Sequence, residues 1–150
     1  MGDPRIHRIL GPSRLNPALI AAAYADSTWD KIVTTLNVFE KFERYKMQKF
    51  PLPLNSIVVS DFIHWASFER NLAPSSITAY ISNLKLVHNL RNLDASACEN
   101  MLCKTQIRGA KNLMFYRYSD SNHKKVMTLP LLKLMGHEIE KANGLICQKV

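Results

Sequence analysis

Residues typical of secreted, membrane-embedded or metal-dependent proteins are scarce in this sequence. It holds three cysteines, Cys98, Cys103 and Cys147, which form neither an even set for disulfides nor a metal-ligand spacing. We therefore expect reduced thiols in an intracellular protein. No apolar run approaches the roughly 20 residues that span a bilayer, and Met1 to Arg14 lacks the continuous apolar stretch of a secretory signal. We expect no membrane partner.

Side-chain patterns that carry chemistry are also missing. The five glycines form no phosphate-binding loop, no histidine pair lies at metal spacing with a carboxylate, and the tyrosines have no cluster of Arg, Lys and His around them. His64 and His88 lie among apolar neighbours, so we interpret both as histidines with ordinary hydrogen bonds. These absences predict no metal, no cofactor, no small-molecule substrate and no self-contained enzyme.

Acidic residues are few, and this shortage is informative. The chain has 12 Asp and Glu against 20 Lys and Arg, which gives a formal net charge of +8. The pI is about 9.6. Such a balance favours polyanionic partners, because each phosphate neutralised by a basic side chain releases a condensed counterion. Many basic proteins bind no nucleic acid, so the charge alone leaves both interpretations open.

Prolines divide the chain into segments whose apolar residues recur at spacings of three and four. These spacings predict helices over residues 16–25, 27–50, 60–71, 74–93 and 96–117, with Ser60 capping the third and Gly109 interrupting the last. Nothing in the pattern indicates strands. We expect an all-α fold, a bundle of four or five helices with a C-terminal linker and one extra helix. The predicted core residues are Trp29, Leu36, Phe39, Phe62, Trp65, Ile77, Ile81 and Leu84.

The same segments predict the domain organisation. We expect a flexible N-terminal arm over 1–15, a helical domain over 16–117, a linker over 118–129 and the first helix of another unit over 130–150. The helix after Pro130 would lack a core of its own if that unit is truncated. It is therefore a candidate for self-association.

Three groups of polar residues are candidates for contact with a phosphate backbone. The first lies at the end of the second helix, the second at the start of the fourth, where hydroxyls also favour capping, and the third in a strongly positive region towards the C-terminus. A solvated face is an equally good interpretation of the first group, and Tyr80 is more often a core residue. The candidates are Arg44, Lys46, Lys49, Ser75, Ser76, Thr78, Tyr80, Lys85, Arg108, Lys111, Lys124 and Lys125.

The order of these motifs resembles one known family. The segment NLAPSSITAYISNLKLVHNL, read with the later QIRGAKN and TLPLL, is similar to the N-terminal half of the tyrosine recombinases, the phage-type integrases. The Ser/Thr-rich start, the aromatic Tyr80 and the Ser82-x-Leu84 step match the fourth helix of that family's core-binding domain. The resemblance covers roughly Asn16 to Lys141.

What this resemblance implies is a domain that clamps double-stranded DNA for integration or recombination, in the nucleus if the source is eukaryotic. The family's Arg, Lys, His and Tyr catalytic residues belong to a separate domain, which we expect beyond Val150, so no catalytic residue is assigned here. Two alternatives stay open. One is a helical protein-interaction module anchored by Trp65, Phe68 or Met114. The other is a DNA-binding regulator unrelated to recombinases.

Overall fold

The computed structural model describes residues 3–12 and 16–121, with side chains as far as residue 115. Every regular element in this part of the chain is an α-helix, and it contains no strand, which confirms the all-α class. The helices are α1 (Pro4–Leu10), α2 (Pro17–Ala22), α3 (Asp26–Lys46), α4 (Ser56–Phe68), α5 (Pro74–Leu90), α6 (Ser96–Glu99) and α7 (Met101–Ser121). None of the described helices is long and apolar enough to cross a membrane.

Helix α1 lies where the sequence predicts a flexible arm, so that prediction is wrong for Pro4–Leu10. The Asp3 side chain caps the helix by accepting from the Arg5 N–H, and Pro4 occupies its first position. Ile6, Ile9 and Leu10 are buried on one side of the helix. Burying three such side chains stabilises the docked helix by several kcal/mol, about 1.5–3 kcal/mol each, which offsets the entropy of ordering the segment.

Two helix boundaries in the structure differ from those that the sequence predicts. Helix α4 begins at Ser56, where the Asn55 side chain accepts from the Val58 N–H, rather than at a Ser60 cap. Gly109 does not interrupt α7. The break between α6 and α7 lies instead at Asn100, whose extended backbone ends α6 and whose side chain accepts from the Leu102 N–H.

The larger hydrophobic cluster lies between α3, α4, α5, α6 and the start of α7. Rings of Phe39, Phe42, Phe62 and Trp65 meet at its centre, and Ile77, Ile81 and Leu84 of α5 close it. All the predicted core residues are buried except Leu36, which is half-buried and touches both clusters.

The smaller hydrophobic cluster holds α1 against α3 and α5 through Trp29, Ile32 and Val87. Ion pairs lie beside this smaller cluster. Arg5 binds Asp3, Asp26 and Asp30, which joins α1 to the start of α3.

Contacts divide the chain into two compact units, Met1–Met114 and Phe115–Val150. Helix α7 continues to Ser121, so the predicted linker is wrong for residues 118–121. The rest of that linker and the predicted helix after Pro130 lie outside the described residues, and these two predictions stand as predictions.

Candidate nucleic-acid interface

Helix α7 carries an exposed basic stripe formed by Lys104, Arg108 and Lys111. Spacings of four and three residues place them on successive turns of one helix face. None of the three forms an ion pair with a carboxylate among the residues whose side chains are described. The stripe therefore presents positive charge to solvent, although Lys104 also interacts electrostatically with Glu99, whose pKa it helps to lower.

An adjacent side of α7 holds the helix on the bundle, which fixes the direction of the basic stripe. Cys103 is buried and its thiol donates to the Ala97 carbonyl over 3.3 Å. The Gln106 Nε2 lies 2.8 Å from Ser60 Oγ, and Ile107 packs on the larger cluster. Because these contacts use one side of the helix, the basic stripe is left in solvent.

Basic residues at the end of α3 are already paired with carboxylates. Lys46 Nζ lies 2.9 Å from Asp61 Oδ2, and Lys49 Nζ lies 2.8 Å from Glu43 Oε2. The Glu43 carboxylate is buried and also accepts the Phe50 N–H at 2.9 Å, so Lys49 compensates a charge inside the fold. Arg44 is more available, because its contact with Glu40 is 3.9 Å long and its side chain is 77% exposed.

Lys85 is likewise paired, with Glu99 of α6. The Lys85 ammonium donates to this carboxylate and lowers the pKa of Glu99 below its ordinary value. The pair joins α5 to α6 at a partly exposed position, where such bridges contribute little free energy. A phosphate at Lys85 would have to compete with Glu99.

The hydroxyls at the start of α5 do not cap that helix, contrary to the expectation from the sequence. Its N-cap is Ala73, which makes no side-chain hydrogen bond, and Pro74 occupies the first position. The Thr78 hydroxyl instead donates to the Pro74 carbonyl at 2.8 Å. Ser75 is exposed and Ser76 is half-buried. The first-turn amides of a helix have no acceptor within it, so a phosphate oxygen could accept from them beside the Ser75 hydroxyl.

The remaining candidates are placed less favourably or are not described. Tyr80 is half-buried and packs on the larger cluster, as a core residue does. Lys124 and Lys125 lie outside the described residues. The sequence also predicts that the start of α5 shares one concave face with Arg44, Lys85, Arg108 and Lys111, and this stays a prediction.

Sequence reasoning missed the basic residues that hold the fold together. Arg91 donates from Nε to the Ile9 carbonyl at 2.6 Å and from Nη2 to the Arg8 carbonyl at 3.0 Å. Arg8 pairs with Glu40 at 2.7 Å. The partners are more than 30 positions apart in the chain, so no spacing in the sequence signals them. Together with Arg5, these residues use part of the positive charge in contacts between helices of the fold.

No group of three or more His, Cys, Asp or Glu side chains within the described part of the chain is arranged to hold a metal ion. Cys98 and Cys103 are free and buried, whereas Cys147 is outside the described residues. Burial raises the pKa of the Cys98 thiol to about 11 and also raises that of Cys103. Both groups therefore stay protonated at neutral pH, which makes them poor nucleophiles.

Comparison with known proteins adds no assignment. The chain matches no protein-family model, and a search of curated proteins found no match either.

Proposed function

We propose that this chain is a DNA-binding domain of the tyrosine-recombinase kind, which holds duplex DNA during integration or recombination inside the cell, and in the nucleus if the source is eukaryotic. The observation that carries the proposal is the basic stripe on α7, where Lys104, Arg108 and Lys111 are exposed and form no ion pair with a carboxylate among the described side chains. The motif order of the α5 segment supports the choice of family.

Contact with DNA phosphates is the role that best fits the exposed basic side chains of α7. An exposed ammonium or guanidinium gains from releasing condensed counterions when it neutralises a phosphate. Lys46, Lys49 and Lys85 contribute less, since each must first leave a carboxylate. Such contacts position the protein on the duplex and carry little sequence information. Base readout by Thr78 or Tyr80 is not required for them.

Replacing Lys104, Arg108 and Lys111 together by alanine should weaken binding to duplex DNA. Loss of three phosphate contacts lowers the salt dependence of log K by about 2.7 units and the affinity at 0.1 M salt by about 10- to 100-fold. Fluorescence anisotropy of a labelled duplex, titrated at several salt concentrations, measures both quantities. Unchanged affinity and slope in a variant that melts like the original would refute the proposal.

A matched control separates a specific surface from net charge. Lys31, Lys41 and Arg70 are exposed and are not predicted DNA contacts, and their triple alanine variant loses the same three charges. We expect it to retain most of the affinity. Equal losses in the two triple variants would mean that any positive surface of this protein binds DNA equally well.

Changing Glu99 to Gln should strengthen DNA binding, because it frees the Lys85 ammonium from its ion pair and removes the carboxylate charge that acts on Lys104. The gain is about 1.5- to 5-fold, the range expected from a partly exposed bridge. Glu69 is an exposed carboxylate outside every described ion pair, so Glu69→Gln is the control for charge alone. Anisotropy titrations of both variants measure the gains; equal gains would mean that neutralising Glu99 acts through net charge and not by freeing Lys85 or Lys104 for DNA.

A protein-interaction module is the second candidate, favoured by exposed apolar residues on α7. Leu102, Leu113 and Phe115 are 48%, 47% and 63% exposed, and Met114 is 43% exposed. Trp65 cannot serve as the anchor that this alternative names, because it is buried at 4% exposure. Binding to a protein partner that survives high salt would favour this candidate over DNA.

A further inference from the structure

A cleft of about 180 Å³ opens where α1, α3, α5 and the segment around Phe50 meet. Its partly exposed apolar lining is Leu36 of α3 together with Phe50 and Leu52 of the segment between α3 and α4, and beneath these lie the buried side chains of Phe39, Leu84 and Val87. Its polar lining consists of Arg8, Glu40, Glu43 and Arg91. An apolar cavity of about 150 Å³ in another protein accommodates benzene, so this volume suits one aromatic ring or a branched chain of similar size.

The charged side chains that line the cleft differ in whether an opposite charge pairs with them. Glu40 accepts from Arg8, and both oxygens of Glu43 are used by the Lys49 ammonium and the Phe50 N–H. Arg91 pairs with no carboxylate among the described residues and donates only to two backbone carbonyls, those of Arg8 and Ile9. These carbonyls at the end of a short helix supply only a partial negative charge.

The third nitrogen of the Arg91 guanidinium, Nη1, makes no hydrogen bond to the described part of the chain. Half-burial of this side chain lowers the pKa of Arg91, because desolvation disfavours the charged form. An uncompensated guanidinium at the side of an apolar cleft is a recognition element for an anion, since a carboxylate would supply both the missing charge and an acceptor.

We propose that this cleft binds a small aryl or branched-alkyl carboxylate, with the carboxylate at Arg91 and the apolar body against Leu36, Phe50 and Leu52. The proposed ligand binds without reacting, so the site does not conflict with the prediction that the chain has no small-molecule substrate. Because Arg91 also holds the end of α1, an occupied cleft stabilises the docking of α1 on α3 and α5. The inference does not depend on DNA binding.

Phenylacetate is the test ligand, with phenylacetamide as its neutral counterpart and acetate as the carboxylate without a ring. Titration of the full chain, followed by methyl resonances of Leu84 and Val87, should show shifts with phenylacetate at concentrations at least tenfold lower than with either control. At ten times Kd the Tm should rise by about 3–6 °C. Absence of methyl shifts, or equal binding of acid and amide, would overturn the proposal.

Substitutions test the charged part and the apolar part of the site separately. Arg91→Gln should weaken phenylacetate binding about tenfold or more, and Leu52→Trp should weaken it by occupying part of the cleft. Arg5→Gln is the matched control, because Arg5 also joins α1 to α3 but does not line the cleft. It should change affinity by less than about twofold, since surface ion pairs contribute little. Equal losses in Arg5→Gln and Arg91→Gln, or undiminished binding in Leu52→Trp, would contradict the assignment.

Discussion

Replacement of Phe42 by alanine should lower the free energy of unfolding by about 3–5 kcal/mol. The Phe42 side chain is fully buried at the centre of the larger cluster. Its ring centroid lies 5.6 Å from those of Phe39, Phe50 and Trp65 and 5.5 Å from that of Phe62. Removing it loses both the transfer free energy of the ring and the contacts of four aromatic neighbours, which belong to different segments and cannot collapse together into the space.

Urea denaturation followed by circular dichroism measures this loss. Phe68→Ala is the matched control, because the same ring is removed from a side chain that is 49% exposed on α4. It should cost about 1 kcal/mol or less. A cost below 1 kcal/mol for Phe42→Ala, or equal costs in the two variants, would mean that the aromatic cluster is not the main stabilising core.

His88→Leu should destabilise the protein by about 2–4 kcal/mol although it makes the core more apolar. His88 is fully buried, its Nε2 accepts the Leu54 N–H at 3.0 Å, and its Nδ1 lies 2.7 Å from the Leu84 carbonyl. These partners require the tautomer with hydrogen on Nδ1. Leucine would leave the buried Leu54 N–H without an acceptor, and no hydrogen bond would then offset the free-energy cost of desolvating that group.

His88→Gln distinguishes the lost hydrogen bond from altered packing, because glutamine keeps an acceptor at similar reach. We expect it to cost less than the leucine variant and to retain protection of the Leu54 amide against hydrogen exchange, which His88→Leu should lose. Equal stabilities in denaturant, together with equal exchange rates at Leu54, would show that the hydrogen bond contributes nothing.

The helical part of the fold could be predicted because local periodicity and core burial agree in α3 and α5. Trp29, Phe39, Ile77 and Leu84 recur at helical spacings, and each is buried in the structure. Helix α1 carried comparable signals, an Asp3 cap, Pro4 at the first position and Ile6, Ile9 and Leu10 on one face. The glycines and charges around it favoured an arm, and only its contacts with Trp29 and Ile32 explain why it is ordered.

The sequence predicted that the candidate interface is basic, but not which of its basic side chains are free of ion pairs. The basic residues can be counted in the sequence, and the spacing of Arg108 and Lys111 on a helix follows from it. Whether a lysine is already compensated depends on distant carboxylates, such as Asp61 for Lys46 and Glu99 for Lys85. Such pairs form only when separate helices pack, so residue spacing does not reveal them.

The sequence by itself determined the helices and their apolar faces, because both depend on spacings within about four residues. It also determined the positive charge. Only the tertiary structure decided which charges are compensated, how His88 satisfies the Leu54 amide, and that Arg8, Phe39, Val87 and Arg91 surround one cleft. These arrangements join residues from different helices, and their energies arise from packing and desolvation that exist only once the helices are assembled.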